Sequence, residues 1–325
     1  MKKYLFFTFQ YQVMENENLL GLMYGITRSG SLAGRGLQPG EVVSEGDYGD
    51  DKRDIDQRVE EAVVDHFLGS DVNAALKPED AEWGDEEWIT PSGETVSGEE
   101  LKEQDYAFIV DQVEGTKNYD NRDRYTTVAA LDPEDPTLEG VEASMIYRWD
   151  DSIFFSDGEQ SYSNFECGSG LPSGNLESAE PLEAETMDEA GYDTKIRGQM
   201  IGLNAQDYAD LIESVVERND LPENDWPSLK ADGTTTGDIL GTVTDNSIAV
   251  DIRALKNRER LPFAQDFAPA AKVARDAGVK VVDESGEPID TDFSRPGAAT
   301  AYIAVPPGEV SEDIVDIVGE LNHER

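Results

Sequence analysis

Cysteine and histidine are almost absent from this chain of 325 residues. Its one cysteine, Cys167, cannot form an internal disulfide, and a zinc site built from cysteines is excluded. Only His66 and His323 could offer an imidazole nitrogen. A bound metal would therefore need oxygen ligands, which favours magnesium, manganese or calcium over softer ions.

Basic residues are also scarce, with 26 Lys and Arg against 70 Asp and Glu and a formal net charge of −44. A chain this acidic repels other polyanions, which excludes a nucleic acid polymer as a partner and an anionic membrane as a docking surface. No stretch of the sequence approaches the ~18 consecutive apolar residues of a membrane span.

The acidic residues are spread along the whole chain rather than gathered in one tail. Such an excess destabilises a compact protein through self-repulsion unless salt screens it. We therefore expect a halophilic, cytoplasmic protein that works in high salt, and the alternative is an ordinary acidic protein.

Residues 1–14 are interpreted as an N-terminal extension of unknown role. Two lysines and a short apolar run imitate a signal peptide, but no small-residue cleavage site follows them. We expect no targeting segment, and a true start at Met14 is as good an interpretation as export.

Hydrophobic patterns predict a layered α/β fold. The first half, residues 15–165, shows two helical patterns and then a series of strands separated by turns, which indicates an α+β arrangement with an antiparallel or mixed sheet. A Gly-, Ser- and Pro-rich connection covers residues 165–195. Strand and helix patterns alternate in the second half, residues 166–325, which indicates an α/β arrangement.

Three acidic segments could carry chemistry. A buried strand over residues 106–110 is predicted to end at Asp111, and the carboxylates of Asp111 and Glu114, the Val113 carbonyl and the Thr116 hydroxyl follow within one turn. Oxygens gathered in this way suit a hard cation, although a turn with solvated acids is the simpler interpretation. Asp56 and Asp266 each stand where a helix is predicted to begin, and there capping is an equally good interpretation.

The order and neighbours of these segments resemble the inositol monophosphatase family of magnesium-dependent sugar phosphatases. Residues 108–119 resemble the central signature, a strand followed by Asp-Pro-x-Asp-Gly-Thr-x-Asn-Phe. Residues 265–288 are similar to the late signature, which begins Trp-Asp-x-Ala-Ala-Gly, and residues 55–60 are similar to the early helical element. With the strand pair in residues 141–162, the resemblance covers roughly residues 50–320, and it implies an αβαβα sandwich that forms one catalytic domain.

The resemblance also implies a role for each matching residue. Asp111 would bridge two ions, the first completed by the Val113 carbonyl and Thr116, and the second by Glu114 and Asp266. The carboxylate of Asp56 would accept a hydrogen bond from Thr116, and this pair would orient and deprotonate the attacking water. The cofactor implied is Mg²⁺, as two or three ions, with Mn²⁺ as an alternative.

The family also uses a glutamate upstream of the central signature. Glu94 has the best spacing to Asp111, and Glu86, Glu87 and Glu99 are its rivals.

The substrate side of the site is matched by fewer residues. The turn formed by Gly233, Thr234 and Thr235 resembles a family turn that offers backbone N–H groups to a phosphate or hydroxyl. Gly115 and Asp251 are the remaining candidate substrate-binding residues.

The sequence departs from the family pattern at several positions. Gln112 replaces a proline, Glu114 replaces an aspartate, and Gln265 replaces a tryptophan, whereas every aligned carboxylate position still holds an acid. We therefore predict a magnesium-dependent phosphomonoesterase that hydrolyses a small sugar, inositol or nucleotide phosphate through metal-activated water. The alternative is a catalytically impaired member that binds metal or ligand as a regulatory protein. The resemblance also implies a homodimer, because enzymes of this family are commonly dimers.

Overall fold

The structure is a computed structural model. It describes residues 19–35, 37, 42–45, 51–78, 88–115, 124–164, 179–187, 195–197, 205–218, 228–230, 234–245, 247–251, 262–295, 298–308, 313–318 and 320.

A large mixed sheet forms the centre of the first half. Its strand order in the described part of the chain is β11-β10-β9-β8-β7-β6-β3-β4-β5. The strands are β3 (Ala74–Pro78), β4 (Trp88–Ile89), β5 (Thr95–Val96), β6 (Tyr106–Glu114), β7 (Tyr125–Leu131), β8 (Val141–Arg148), β9 (Ile153–Ser156), β10 (Ser161–Asn164) and β11 (Glu180–Pro181). Among the described strands of this sheet, β3 and β6 alone pair in parallel, and the other neighbours are antiparallel.

A smaller sheet forms the second half, in the order β13-β12-β14-β16-β15. Its strands are β12 (Lys195–Arg197), β13 (Ser228–Lys230), β14 (Ile248–Val250), β15 (Lys280–Val282) and β16 (Ile303–Val305). A separate antiparallel pair joins β1 (Val42–Glu45) to β2 (Asp51–Arg53). The main helices are α1 (residues 19–34), α2 (Asp54–Phe67), α3 (Ala205–Arg218), α4 (Thr235–Thr244) and α5 (Ala264–Asp276), and residues 313–318 are also helical.

Helices pack on both faces of each sheet, which gives five layers. In β6, Phe108 and Val110 pack with α1 and α2, whereas Ala107 and Ile109 pack with α4 and α5. Helices α4 and α5 also pack on one face of the smaller sheet, and α3 and residues 313–318 share a core with its other face. The αβαβα arrangement expected from the sequence is therefore confirmed, with α4 and α5 between the two sheets.

Two local predictions differ from the structure. Strand β6 does not stop at Asp111 but continues to Glu114, because pairing with β7 resumes after a register shift between these two residues. Strands β3, β4 and β5 lie in residues 68–104, whose polar sequence with Pro and Gly residues gives no strand prediction. Strand β3 has a weak pattern, since it holds two alanines and a proline, and its parallel pairing with β6 stabilises it.

Among the described helices, none is both long enough and apolar enough to cross a membrane.

Candidate active site at the starts of helices α4 and α5

The end of β6 carries two buried acids. The exposed fraction is 2% for Asp111 and 7% for Glu114. The N–H of Val113 donates to Oδ1 of Asp111 at 2.9 Å, so the carboxylate folds back over the bulged backbone. Gly115 then reverses the chain with a φ of +85°, a conformation that favours glycine. Thr116, the predicted partner of Asp56, lies outside the described residues.

Helix α4 begins against these acids. Thr234 is its N-cap, and its Oγ1 accepts a hydrogen bond from the N–H of Gly237 at 3.1 Å. The N–H of Thr236 donates to Oε1 and Oε2 of Glu114 at 2.9 and 3.2 Å. A Cβ added at Gly237 would lie 2.5 Å from Oγ1 of Thr234 and 3.1 Å from the hydroxyl of Tyr125. The glycine therefore lets Tyr125 close over the first turn of the helix.

Helix α5 begins beside α4. The hydroxyl of Thr236 donates to the carbonyl of Asp266 at 3.3 Å, which ties the two helix starts together. The carboxylate of Asp266 accepts the N–H of Phe263 at 3.3 Å, so Asp266 caps its own helix. This is the capping interpretation weighed from the sequence.

Glu114 and Asp266 repel each other electrostatically. Burial raises the pKa of Glu114 to about 8, the charge of Asp266 adds to this shift, and hydrogen bonds from Thr236 and Thr235 oppose it. Two interacting acids, one at the end of a buried strand and one in the first turn of a helix, fit a site that also holds a positive charge.

Asp56 lies in the first turn of α2, where it is 6% exposed, and faces an arginine that sequence reasoning missed. Burial lowers the pKa of Arg124, and the negative charge of Asp56 opposes this shift. The guanidinium of Arg124 lies 5.4 Å from the ring centroid of Trp149, and its Nη1 donates to the carbonyl of Leu37 at 2.8 Å. The only signal in the sequence is an arginine placed directly before a strand in an acid-rich chain.

A short hydrogen-bonded chain links this arginine pocket to the β6 bulge. Nε1 of Trp149 donates to Oγ1 of Thr126 at 3.1 Å, and this hydroxyl donates to the carbonyl of Gln112 at 2.9 Å. The backbone between the two buried acids of β6 is therefore fixed from the same side as Asp56.

The structure places Glu94 away from Asp111. Strand β3 is parallel to β6, and β4 runs antiparallel to β3. The turn after β4 therefore lies near the level at which β6 begins, whereas Asp111 lies near the opposite end of β6. The N–H of Gly69, just past the end of α2, donates to the carbonyl of Pro91 at 2.7 Å. Because α2 has 14 residues, its two ends are roughly 20 Å apart, and Glu94 lies exposed at the end opposite Asp56.

The rivals of Glu94 give no nearer described candidate. Glu99 is exposed and directly precedes a short 3-10 helix (Glu100–Glu103). After this helix the N–H of Asp105 donates to the carbonyl of Asn73, so this part of the chain lies beside the start of β3. Glu86 and Glu87 lie outside the described residues.

The predicted substrate residues lie partly in the same region. Thr234 and Thr235 are buried in the first turn of α4, and Gly233 lies outside the described residues. Asp251 is 3% exposed and directly follows β14. Strands β13 and β14 are both parallel to β12, so their carboxyl ends lie on the same side of the smaller sheet. Helix α4 follows the carboxyl end of β13 and Asp251 follows that of β14, which places both on this side.

The fit to a metal ion is partial in the described part of the chain. No three acidic, histidine or cysteine side chains there come together in a metal-binding group. The donors near β6 and α5 are all oxygens, which suits Mg²⁺, and Asp111 and Asp266 fit that role. Glu114 instead directs both carboxylate oxygens to the start of α4.

Solved structures share this architecture. SuhB, the extragenic suppressor protein of Bartonella henselae, is 14% identical with a TM-score of 0.61, covering 92% of this chain and 97% of its own. The Thermotoga maritima inositol monophosphatase is 15% identical with a TM-score of 0.59, and the match covers 94% of this chain and 98% of its own. CysQ from Bacteroides thetaiotaomicron, described as a bacterial member of the inositol monophosphatase family, is 15% identical with a TM-score of 0.57, and the match covers 88% of this chain and 96% of its own.

No protein-family model matches the sequence, and no curated protein matches it. The structural likenesses show that the chain has the inositol monophosphatase fold along nearly its whole length.

Proposed function

We propose that the protein is a divalent-metal-dependent phosphomonoesterase of the inositol monophosphatase family. Its substrate would be a small sugar, inositol or nucleotide phosphate. The observation that carries this proposal is the contact of Glu114, a buried acid at the end of β6, with the start of α4, which is itself tied to the start of α5, in a chain with the fold of those phosphatases.

Asp111 and Asp266 are the side chains that would hold the ion, which we expect to be Mg²⁺ or Mn²⁺. When bound, such an ion activates water and neutralises phosphate charge. Asp56, together with Thr116, would orient the attacking water and accept its proton. The guanidinium of Arg124 places a positive charge beside Asp56, and the start of α4 holds the candidate substrate residues Thr234 and Thr235.

An upstream carboxylate is still needed in place of Glu94, and we propose Glu79. The parallel register of β3 and β6 pairs Pro78 with Val110, and Asp111 is the next residue of β6. Glu79 is the next residue after Pro78 in the sequence, although it lies outside the described residues. Glu79→Gln should lower metal-dependent turnover at least tenfold, and Glu94→Gln, its matched control, should leave turnover unchanged.

The proposed function is tested by phosphate release in molar KCl with Mg²⁺. The substrates are inositol phosphate, fructose bisphosphate, glycerol phosphate and adenosine bisphosphate. We expect turnover of at least one ester that requires the ion and is lost in Asp111→Asn. Asp105→Asn, a change of an exposed acid just before the same strand, should keep it. A folded protein that releases no phosphate from any ester would refute the proposal and favour a non-catalytic role.

Two further expectations accompany this function. We propose a small phosphorylated metabolite as the partner, because the net charge of −44 opposes larger polyanions. We also propose a halophilic, cytoplasmic protein, and a folded state that needs molar salt would support this.

A further inference from the structure

We propose that Glu114 is an internal ligand of the start of helix α4 and not a metal ligand. Its carboxylate occupies backbone N–H groups that could otherwise bind an oxygen of the substrate. The consequence for substrate binding rests on the proposed function, whereas the contact itself does not.

The geometry at the start of α4 supports this role. Both oxygens of Glu114 lie within 3.2 Å of the same backbone nitrogen, that of Thr236. The first N–H groups of a helix have no partner within the helix, and the positive end of its dipole favours a carboxylate. The side chain of Glu114 is 7% exposed, so water does not readily replace this contact.

The neighbouring backbone holds both partners in place. Glu114 pairs with Tyr125 across β6 and β7. Thr234 caps the helix from its own side chain, and Thr236 is tied to α5 through the carbonyl of Asp266. The contact therefore joins two rigid elements that are 122 residues apart in sequence.

The length of the side chain decides whether the contact can form. An aspartate at position 114 would withdraw the carboxylate by about 1.5 Å, one carbon–carbon bond. From a distance of 2.9 Å that withdrawal exceeds the reach of a hydrogen bond. The extra methylene of Glu114 thus moves the carboxylate from the β6 loop to the helix.

A substrate that used the start of α4 would have to displace this carboxylate. Glu114 would then act as a specificity residue that disfavours esters which rely on these N–H groups. Esters held mainly through the ion and the acids would be less affected.

The first test measures Mg²⁺ binding calorimetrically in molar KCl. For Glu114→Asp we expect Mg²⁺ to bind at least threefold more tightly, because the shorter carboxylate leaves the helix and faces Asp111. Binding that is tenfold weaker in this variant would show that Glu114 is a metal ligand and would overturn the inference. The matched control is Glu134→Asp, a change of an exposed glutamate in a turn.

The second test needs neither metal nor turnover. In Glu114→Ala at pH 5, where acetate is present in both its ionised and its protonated form, exchange of KCl for potassium acetate at constant ionic strength should raise the Tm by several degrees and saturate, because it replaces the missing carboxyl group. The wild-type protein and Glu134→Ala should show only the smaller rise, without saturation, that exclusion of the salt from the protein surface gives. A folded Glu114→Ala protein that responds to acetate no more than the wild type would overturn the inference.

A third variant covers the case in which Glu114→Ala does not fold. Glu114→Gln keeps the length and an acceptor oxygen, so it should fold and respond to acetate no more than the wild type. A clear acetate response in Glu114→Gln would contradict the inference. Asp111→Asn separates the two proposals: if it keeps normal Mg²⁺ binding, the proposed metal function fails while the acetate test still decides the role of Glu114.

Discussion

The pH dependence of stability offers a direct test of the electrostatics around Glu114. Burial and the charge of Asp266 together outweigh the hydrogen bonds to this carboxyl, so its pKa rises from 4.5 to about 8 in the folded protein. Glu114→Gln replaces it with a neutral group of nearly the same shape. The variant should therefore match the wild-type protein where Glu114 is protonated and differ where it is ionised.

The sign and size follow from proton linkage. Between pH 4.5 and pH 8 the folded state holds a proton on Glu114 that the unfolded state has lost. The Glu114 contribution to the free energy of unfolding is therefore fully present below pH 4.5 and falls by about 1.4 kcal/mol per pH unit as pH rises through this window. At pH 9 the glutamine variant should be more stable than the wild-type protein by up to about 5 kcal/mol, as an upper bound because the buried carboxylate can relax toward water.

The assay is chemical denaturation of both proteins from pH 5 to pH 9, in molar KCl with a chelator. Taking the difference between them removes the general effect of the many surface acids, which salt screens far better than a buried pair. A difference that stays flat across this range would refute the reasoning. Added Mg²⁺ should shrink the difference at high pH if an ion binds beside Asp266.

Three further substitutions test the framework of the site. Arg124→Met should lower the free energy of unfolding by about 3 kcal/mol, because it leaves Asp56 without its buried cation; Arg295→Met, at an exposed position, should change it by less than about 0.5 kcal/mol. Gly237→Ala should cost about 1–3 kcal/mol because its Cβ would meet the Thr234 hydroxyl at 2.5 Å, whereas Gly21→Ala, in open space on α1, should stabilise by up to about 1 kcal/mol. Thr234→Ala should cost about 0.5–2 kcal/mol and Thr234→Ser much less, because serine keeps the cap. Denaturant titrations measure all three, and a Gly237→Ala protein as stable as the wild type would contradict the described packing.

The sequence predicts the layers of the fold well because periodicity records burial. The continuous apolar run of β6 is buried on both faces of the large sheet, and the helical spacing of Ile55, Val59 and Val63 is the buried face of α2. Strand β3 is missed because two of its five residues are alanine and one is proline, and its place depends on a partner about 30 residues away.

The site is predicted less completely, because the sequence shows which acids are present but not which way they face. Asp111 and Glu114 are both buried in the last part of β6, yet the contact of Glu114 depends on a helix more than 100 residues later. Glu94 is favoured by spacing alone. Strand β4 runs opposite to β3, so the chain carries Glu94 to the end of the strands that lies away from Asp111.

The starts of α4 and α5 explain why metal and substrate binding should be coupled. The two helices meet through Thr236 and Asp266, so their positive dipole ends point into one region. Each start already holds a carboxylate of this chain, Glu114 on α4 and Asp266 on α5. Under the proposed function, a phosphate that arrives alone would compete with Glu114 for the start of α4 and would be repelled by Asp266. A divalent cation bound beside Asp266 would offset that repulsion, so metal binding should strengthen phosphate binding.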